Sequence, residues 1–436
     1  MLQVVPTTPW LFPEKQEEVV RRLLEWGCIK CDEARSLPLK SGGRTDVYVN
    51  LRDARDYPEA IHFVSGLFEI PLRHLRVNRF VEVPDAVSCF AGPLSLATGI
   101  PYLTIREQEK MGRVADARII GHPVRGESVY ILDDVITDGA SKIVPIEECL
   151  RLGLSVKALV VLVNREQGWK RKFAEQEISV PVWAGMTLHD VRRQLIESGA
   201  MRRCDPKAEE KNPIILALDG KSWEEILPVI DPLRPMGCVL KVNDLAFAEG
   251  FDRLLPDLSV YGRVMLDLKA HDIPNTVGNI MSRVRAHAPW AVTVHASGGE
   301  EMIRAAVKAL EGTQTMILAV TVLTSLGPDC EEIYTRSPLE QVKVLAAIAD
   351  RAGAHGFVCA PEEARELRNL YPDALIVTPG VRSSGIDSGD QKRVMTPKEA
   401  IENGANMVVG GRQFLNDSDP VAEVRRVLEQ ELGVFI

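Results

Sequence analysis

The chain has 436 residues, of which 45% are hydrophobic and 26% are charged, and its formal net charge is −9 at pH 7. This length favours two or three domains over one, and the acidic balance argues against a nucleic-acid partner. The sequence has no apolar run near the roughly 20 residues that span a bilayer and no signal-peptide pattern, so we expect a cytoplasmic protein with no membrane partner. The cysteines are scattered, and we interpret even the C-x-x-C pair of Cys28 and Cys31 as free thiols.

The first half alternates short apolar runs with segments of helical spacing. Strands are predicted at residues 80–83, 102–105, 129–132, 158–163 and 180–183, and helices at 14–25, 58–68 and 143–152. Strands that alternate with helices indicate parallel pairing. We therefore expect an α/β domain over residues 1–187, with an open, doubly wound sheet.

Residues 188–212 are rich in charge and are expected to link two domains, either as a solvated connector or with a helix that packs on one of them.

The second half repeats the alternation of strands and helices regularly. Strands are predicted at 214–218, 238–242, 264–268, 291–294, 316–322, 356–359, 375–377 and 407–409, and helices at 222–233, 300–310 and 339–352. Eight strand–helix units fit a (β/α)8 TIM barrel over residues 213–436.

Polar and charged residues fall at the carboxyl ends of these strands, where barrel active sites lie. They are Asp219, Lys241, Asp267 with Lys269, His295, Thr324, Arg382 and Arg412. Asp267 and Lys269 are two residues apart, so their side chains should share a face of the strand. Burying two charged side chains inside a barrel is costly unless Lys241 and Asp272 act as their partners. A structural salt-bridge network is the alternative. It leaves unexplained the glycine-containing TPGVR and VVGGR loops, which indicate a phosphate site after the last two strands.

The second half resembles the orotidine 5'-monophosphate decarboxylase family over its whole length. The matching segments are ALD at 217–219, KV at 241–242, DLKAHDIPNTV at 267–277, TVLTSL at 321–326, TPGVR at 378–382, GDQKRVMTP at 389–397 and VVGGR at 408–412. Sugar-phosphate enzymes of the same barrel superfamily share the D-x-K-x-x-D motif, but the HDIPNT, GDQKR and PGVR segments favour the decarboxylases. One departure is Asn243, where the family commonly has glycine, and we expect little effect from it.

This resemblance implies that the barrel converts orotidine 5'-monophosphate to UMP with no cofactor and no metal. The implied catalytic residues are Lys241, Asp267, Lys269 and Asp272, with Lys269 as the acid that protonates C6 of the pyrimidine. The other implied substrate-binding residues are Asp219, with Lys241, for the ribose, Thr324 or Ser325 for the base, and Arg382, Gln391, Gly411 and Arg412 for the phosphate. Pro379 is implied as a further substrate-binding residue. Asp272, Ile273 and Thr276 correspond to residues that enter a partner's site, which implies a homodimer through the barrel.

The clearest motif of the first half is VYILDDVITDGAS at residues 129–141. Its strand leads through two carboxylates into a loop of small and hydroxyl residues, a pattern that forms an anion cradle; an ordinary strand-to-helix turn is the alternative. The segment resembles the phosphoribosyl-pyrophosphate (PRPP) motif of type I phosphoribosyltransferases. LKSG at 39–42, VYVNLR at 47–52, IPYLTIR at 100–106 and VNREQG at 163–168 resemble the orotate phosphoribosyltransferases.

This second resemblance implies that the first domain binds orotate and PRPP with Mg²⁺. The implied binding residues are Lys40, Tyr48, Arg106, Lys110, Asp133, Asp134, Thr137, Asp138, Gly139, Ala140, Ser141 and Arg165. Two departures stand out: Glu107 replaces a family lysine, and the loop at 83–92 lacks the usual small, proline-containing turn. A carboxylate in place of a cation reverses the sign of the interaction with a pyrophosphate.

Together the two halves resemble the bifunctional UMP synthases. The alternative is a decarboxylase whose degenerate first domain only binds a ligand or supports assembly. A DNA-binding regulator is a third class, but the sequence shows neither a helix-turn-helix nor a basic face.

Overall fold

The computed structural model describes residues 9–39, 44–106, 119–326, 330–385 and 395–436. The chain divides into two compact units, Met1–Arg202 and Arg203–Ile436. The segment expected to be a linker, residues 188–212, is therefore shared between the units, with the helix Leu188–Glu197 in the first and the helix Pro206–Lys211 in the second. Among the described residues, no helix is long and apolar enough to cross a membrane.

The first unit contains the following strands and helices. Its strands are β1 Ile29–Cys31, β2 Leu37–Pro38, β3 Arg44–Thr45, β4 Val47–Val49, β5 Arg79–Glu82, β6 Tyr102–Ile105, β7 Ile119–Ile120, β8 Ser128–Ile136, β9 Ser155–Asn164 and β10 Val182–Thr187. Its helices are α1 Pro13–Glu25, α2 Pro58–Leu75, α3 Ser88–Thr98, α4 Ala140–Arg151, α5 Trp169–Glu175 and α6 Leu188–Glu197, and Leu51–Asp56 forms a 3₁₀ turn.

The main sheet of the first unit has the strand order β10-β9-β8-β5-β6-β7, and only β7 is antiparallel to its neighbour. Two separate hydrophobic clusters use alternate residues of β8, as Tyr130 and Leu132 belong to one cluster and Val129 and Ile131 to the other. The sheet is therefore buried on both faces, as expected for a parallel sheet. The strand order reverses between β5 and β8, and the crevice at such a point is where open α/β sheets bind ligands.

Helix α6 follows β10 directly and packs against α1. Thr187 caps it, with the Asp190 backbone N–H donating to the threonine hydroxyl and the Asp190 carboxylate accepting from the Thr187 N–H. Arg192 on this helix is fully buried and donates from Nη2 to Asp46 Oδ1 at 2.5 Å and from Nε to Oδ2 at 3.1 Å. A forked pair of this kind satisfies both buried charges.

The second unit is a barrel preceded by a short helix. Its strands are β11 Ile214–Ala217, β12 Val239–Val242, β13 Arg263–Ala270, β14 Ala291–His295, β15 Met316–Val320, β16 Gly356–Val358, β17 Leu375–Thr378 and β18 Met407–Gly410. Its helices are α7 Pro206–Lys211, α8 Trp223–Leu233, α9 Asp244–Glu249, α10 Phe251–Ser259, α11 Pro274–Val284, α12 Glu300–Ala309, α13 Cys330–Tyr334, α14 Pro338–Arg351, α15 Ala364–Leu370, α16 Pro397–Glu402, α17 Arg412–Leu415 and α18 Pro420–Arg426, which continues into a π-helical turn at Val427–Glu431.

Strands β11 to β18 are all parallel and close into a barrel, because β18 pairs with β11. The predicted (β/α)8 barrel is confirmed. Its interior is packed with apolar side chains, among them Ile215, Met265 and Leu318. Capping boxes at Ser222, Ser337 and Thr396 begin three of the outer helices. The packed interior leaves the carboxyl ends of the strands as the place for a site.

Candidate active site

A cavity of about 420 Å³ opens at the carboxyl ends of the barrel strands. Its lining residues are Ala217, Asp219, Lys221, Lys241, Met265, Asp267, Lys269, Val320, Val322, Leu323, Thr324, Val358, Cys359, Pro379, Gly380, Arg382, Val409, Gly411, Arg412, Leu415 and Asn416. The cavity therefore combines one charged side with an apolar floor of valines. Apolar pockets with a few convergent polar groups are the usual form of a small-molecule site.

Four charges form a chain of alternating sign on one side of this cavity. Lys241 Nζ lies 2.6 Å from Asp219 Oδ2 and 3.1 Å from Asp267 Oδ2. Lys269 Nζ lies 2.7 Å from the same Asp267 oxygen. The predicted interaction between Asp267 and its two lysines is thus present, and each charge has a partner of opposite sign.

The charges also shift one another's ionisation. Burial alone lowers the pKa of Lys241, but Asp267 and Asp219 outweigh it and raise that pKa above its ordinary value. Burial alone raises the pKa of Asp267, but Lys241 and Lys269 outweigh it and hold that pKa below its ordinary value. Both groups are therefore charged at neutral pH, and Asp267 presents a fixed anion beside the Lys269 ammonium.

The strand that carries Asp267 and Lys269 is irregular at this point. The pairing of β13 with β14 shifts register between Leu266 and Ala270, and Lys269 has a φ of +49°. Both side chains reach the cavity, but through this bulge and not through the regular alternation that the sequence suggested. Strained backbone of this kind is found at functional sites.

Two residues that sequence reasoning did not select hold this irregular segment. The buried Thr293 hydroxyl donates to Asp267 Oδ1 at 2.8 Å and accepts from the Lys269 backbone N–H at 2.9 Å. Asn243 Nδ2 donates to the Asp267 carbonyl at 2.8 Å, so this departure from the family pattern makes a specific contact. The sequence did contain a signal for Thr293, because this polar residue occupies an inward-facing position of the apolar strand β14.

The loops after β17 and β18 form another part of the cavity wall. Pro379, Gly380 and Arg382 follow β17, and Gly411 and Arg412 follow β18. Gly380 has a φ of +77°, a conformation that glycine adopts without strain, and this turn allows the loop to bend towards the cavity. The two predicted arginines therefore line one cavity with the charged chain.

The remaining predicted positions divide into three groups. Thr324 lines the cavity, whereas Ser325 is exposed and is not among the described lining residues. Asp272 and Ile273 are exposed, Ile273 to 65%, and neither they nor Thr276 is among those lining residues. Gln391 lies outside the described residues.

In the first unit, the structure gathers several predicted positions near the end of β8. Arg165 is buried, donates from its backbone N–H to the Ile136 carbonyl at 2.9 Å, and reaches Thr45 Oγ1 at 3.0 Å and the Val47 carbonyl at 3.1 Å with its guanidinium. It is thus adjacent to Tyr48 on β4 and to the loop that begins at Thr137. Arg106 follows β6, and Lys40 and Lys110 lie outside the described residues, as does Glu107.

The two carboxylates of the acidic pair on β8, Asp133 and Asp134, differ in their contacts. Asp133 is fully buried, accepts from the Asp134 backbone N–H at 2.8 Å with Oδ1, and forms an ion pair with the buried Lys142 through Oδ2. Burial, then Asp133, raise the pKa of Asp134 to about 7. Each oxygen of the Asp133 carboxylate thus has a partner within the unit, the Asp134 backbone N–H for one and Lys142 for the other.

The loop that follows contains Asp138, whose Oδ2 accepts from Lys172 Nζ at 2.6 Å. Gly139 has a φ of +79° and precedes α4, which begins at Ala140 and includes Ser141. The region at 83–92, expected as a loop, becomes helical at Ser88. The positions for an anion cradle are thus present after β8.

Comparison with known proteins bears on the barrel. The orotidine 5'-phosphate decarboxylase / HUMPS family model matches residues 212–427. An orotidine 5'-phosphate decarboxylase of Marinomonas sp. (strain MWYL1) is 40% identical over 232 residues, which are 52% of this chain and 98% of that protein. One of Haemophilus ducreyi (strain 35000HP / ATCC 700724) is 42% identical over 225 residues, which are 50% of this chain and 97% of that protein. A crystal structure of orotidine 5'-phosphate decarboxylase from Lactobacillus acidophilus is 34% identical, with a TM-score of 0.44, and covers 51% of this chain and 100% of that chain.

The fold and the site define a (β/α)8-barrel enzyme whose cavity is lined by a chain of alternating charges and by two arginines. The chain belongs to the orotidine 5'-phosphate decarboxylase / HUMPS family, and its C-terminal half is an orotidine 5'-phosphate decarboxylase domain.

Proposed function

We propose that the barrel converts orotidine 5'-monophosphate to UMP with Lys269 as the proton donor. Loss of carbon dioxide leaves negative charge at C6 of the pyrimidine, with no neighbouring group to delocalise it. A fixed ammonium in a largely buried site stabilises that charge as it develops and then supplies the proton. The observation that carries this proposal is the Lys269 ammonium held 2.7 Å from Asp267 at the cavity wall.

The other side chains of the cavity bind the rest of the substrate in this proposal. Asp219 and Lys241 contact the ribose, Thr324 or Ser325 the base, and Arg382, Gln391, Gly411 and Arg412 the phosphate, while Pro379 also contacts the substrate. Arginine forks suit phosphate oxygens, and binding energy from this remote group lowers the barrier at the reacting carbon. The reaction needs no cofactor and no metal, and the pathway served is pyrimidine biosynthesis in the cytoplasm.

The test compares turnover of orotidine 5'-monophosphate by the full chain with turnover by Lys269→Ala and by Lys308→Ala. Lys308 is an exposed lysine on α12 and serves as the matched control. Turnover should fall below detection in Lys269→Ala and stay at the parent level in the control. Normal turnover by Lys269→Ala protein would exclude this lysine as the proton donor.

We also propose that the active enzyme is a homodimer in which Asp272, Ile273 and Thr276 complete the partner's site. Their position supports this, since Asp272 and Ile273 are exposed at the start of α11, outside their own cavity. Mixing inactive Lys269→Ala and Asp272→Ala proteins should restore activity, because hybrid dimers contain one intact site. No recovery after confirmed subunit exchange would refute the shared site.

For the first unit, we propose transfer of phosphoribose from PRPP to orotate, which makes the barrel's substrate. Support comes from the loop at 137–141 after β8. The residue before it, Ile136, accepts from the backbone N–H of the buried Arg165, whose guanidinium contacts the Val47 carbonyl beside Tyr48. Domain boundaries at 1–187 and 213–436 are part of this proposal. The purified full chain, given orotate, PRPP and Mg²⁺, should release pyrophosphate and form UMP.

A second candidate function is favoured by the ion pair between Asp133 and Lys142. Because this pair removes one carboxylate from the ligand side, the first unit could be a binding or assembly domain without transferase chemistry. UMP formed only from orotidine 5'-monophosphate, with no pyrophosphate from orotate and PRPP, would select this alternative.

A further inference from the structure

Next in sequence to the two arginines of the cavity is a partly buried polar network that the proposed chemistry does not use. It consists of Ser383 after β17, Gln413 on α17, and Glu423 and Arg426 on α18, and we call it the loop clasp. Ser383 is 4% exposed and Gln413 is 9% exposed. Polar side chains are costly to bury unless they are hydrogen-bonded. We therefore expect the hydrogen bonds of these residues to have a structural or functional role.

Gln413 joins the two loops directly. Its Oε1 accepts from the Ser383 backbone N–H at 3.1 Å, and its Nε2 donates to Ser383 Oγ at 2.6 Å. The same Nε2 donates to Glu423 Oε1 at 2.7 Å. A glutamine is suited to this position because its amide offers an acceptor and a donor at once.

Arg426 secures the clasp from the other side. Its Nη2 donates to Ser383 Oγ at 3.0 Å and to Glu423 Oε1 at 2.8 Å, and its Nε donates to Glu423 Oε2 at 2.7 Å. Its Nη1 donates to Glu431 Oε1 at 2.8 Å. Charge-assisted and forked bonds of this kind fix geometry more strongly than neutral ones.

The clasp residues are chain neighbours of the two arginines. Ser383 follows Arg382, and Gln413 follows Arg412. The Arg382 backbone N–H also donates to the Met395 carbonyl at 3.0 Å, so this residue is held on both sides. Anchoring Ser383 to Gln413 therefore fixes the separation of the two loops that present the arginines.

We infer that the loop clasp positions Arg382 and Arg412 for the substrate phosphate, with Gln413 as its central residue. This inference rests on the proposed assignment of those arginines to the phosphate. The clasp residues are positioning residues, because they act through the arginines and not on the reacting atoms. If the contacts that support a site shift by about an ångström, the site binds its ligand more weakly, although its reacting groups are unchanged.

The test uses Gln413→Leu, with Gln341→Leu as its matched control. Gln341 is also a buried glutamine of the barrel, on α14, and its described side-chain contact is with Arg336 Nη1 at 3.5 Å. For each protein, the KM for orotidine 5'-monophosphate and the inhibition constants of UMP and uridine are measured. Uridine lacks the phosphate, so it reports damage to the rest of the site.

In Gln413→Leu, the KM and the inhibition constant of UMP should each rise by roughly tenfold. This is the effect expected when one hydrogen bond to a charged group is lost. The uridine constant and all values for Gln341→Leu should stay at the parent level. Ser383→Ala removes only the shared hydroxyl and should show the same pattern more weakly, which keeps the test available if Gln413→Leu folds poorly. Rescue by Gln413→Glu is not expected, because its carboxylate faces Glu423.

Arg382→Ala distinguishes a failure of the clasp inference from a failure of the phosphate assignment. If Arg382→Ala weakens UMP but not uridine while Gln413→Leu changes neither, the phosphate assignment stands and the clasp inference is wrong. If Gln413→Leu weakens UMP and uridine equally, the residue supports the general fold and the inference is again wrong. If Arg382→Ala and Arg412→Ala both leave the UMP constant unchanged, the phosphate assignment fails and the clasp inference falls with it.

Discussion

Removal of the Thr293 hydroxyl should impair both catalysis and stability, because this group holds Asp267 and the backbone of Lys269 in place. It donates to the Asp267 carboxylate at 2.8 Å and accepts from the Lys269 backbone N–H at 2.9 Å, and its side chain is fully buried. Thr293→Val keeps nearly the same volume and removes only the hydroxyl. The substitution therefore tests the hydrogen bonds without opening a cavity.

The magnitude follows from the two contacts. A hydrogen bond to a charged group contributes about 1.5–3 kcal/mol, and each 1.36 kcal/mol in the activation barrier changes the rate tenfold. Loss of the bond to Asp267 should therefore lower kcat by roughly ten- to 100-fold. The Lys269 N–H left without an acceptor should lower the free energy of unfolding of the barrel by about 1–3 kcal/mol.

The assay is decarboxylation of orotidine 5'-monophosphate, combined with urea unfolding of the same protein. Thr315→Val is the matched control, because Thr315 is buried in the same unit and its hydroxyl has no hydrogen-bond partner among the described residues. The control should keep its kcat and its stability. A Thr293→Val enzyme with a kcat within twofold of the parent would show that this hydroxyl does not organise the charged chain.

Three further predictions concern stability. Arg192→Met removes the forked partner of the fully buried Asp46 carboxylate and leaves it the longer contact with Arg35 Nη1 at 3.6 Å, so it should lower the free energy of unfolding of the first unit by up to about 3–5 kcal/mol, measured in urea. Because burial beside a second carboxylate raises the pKa of Asp134 to about 7, the folded protein favours its protonated form, so the free energy of unfolding should fall as the pH rises from about 4 through 7. Asp134→Asn should flatten that pH dependence, and an unchanged slope would contradict the assigned cause. Gly356→Ala places a Cβ 2.0 Å from the Leu375 carbonyl oxygen of the neighbouring strand, and the resulting strain should destabilise the barrel by at least about 1–3 kcal/mol, seen as a lower melting temperature.

Local patterns in the sequence were sufficient for the framework of both units. Apolar runs and helical spacing identified the barrel strands to within a few residues, as with the run predicted at 214–218 and observed at Ile214–Ala217. The short strands β1 to β4, which form two separate two-stranded sheets, were not predicted, because strands of two or three residues are too short for a period to be recognised. The charged residues at strand ends were also identified, since the barrel topology brings all those ends to one side.

The sequence alone therefore indicates the alternation of elements, the barrel and the residue types at its mouth. The partner of each polar group depends on tertiary packing: Lys142 pairs with Asp133, Thr293 with Asp267, and Gln413 with Ser383. The last two pairs join residues 26 and 30 positions apart in the chain. Local periodicity specifies the face of a strand or helix, whereas a side-chain hydrogen bond depends on distances of a few tenths of an ångström. Those distances are set only when the sheet has closed and its loops have packed.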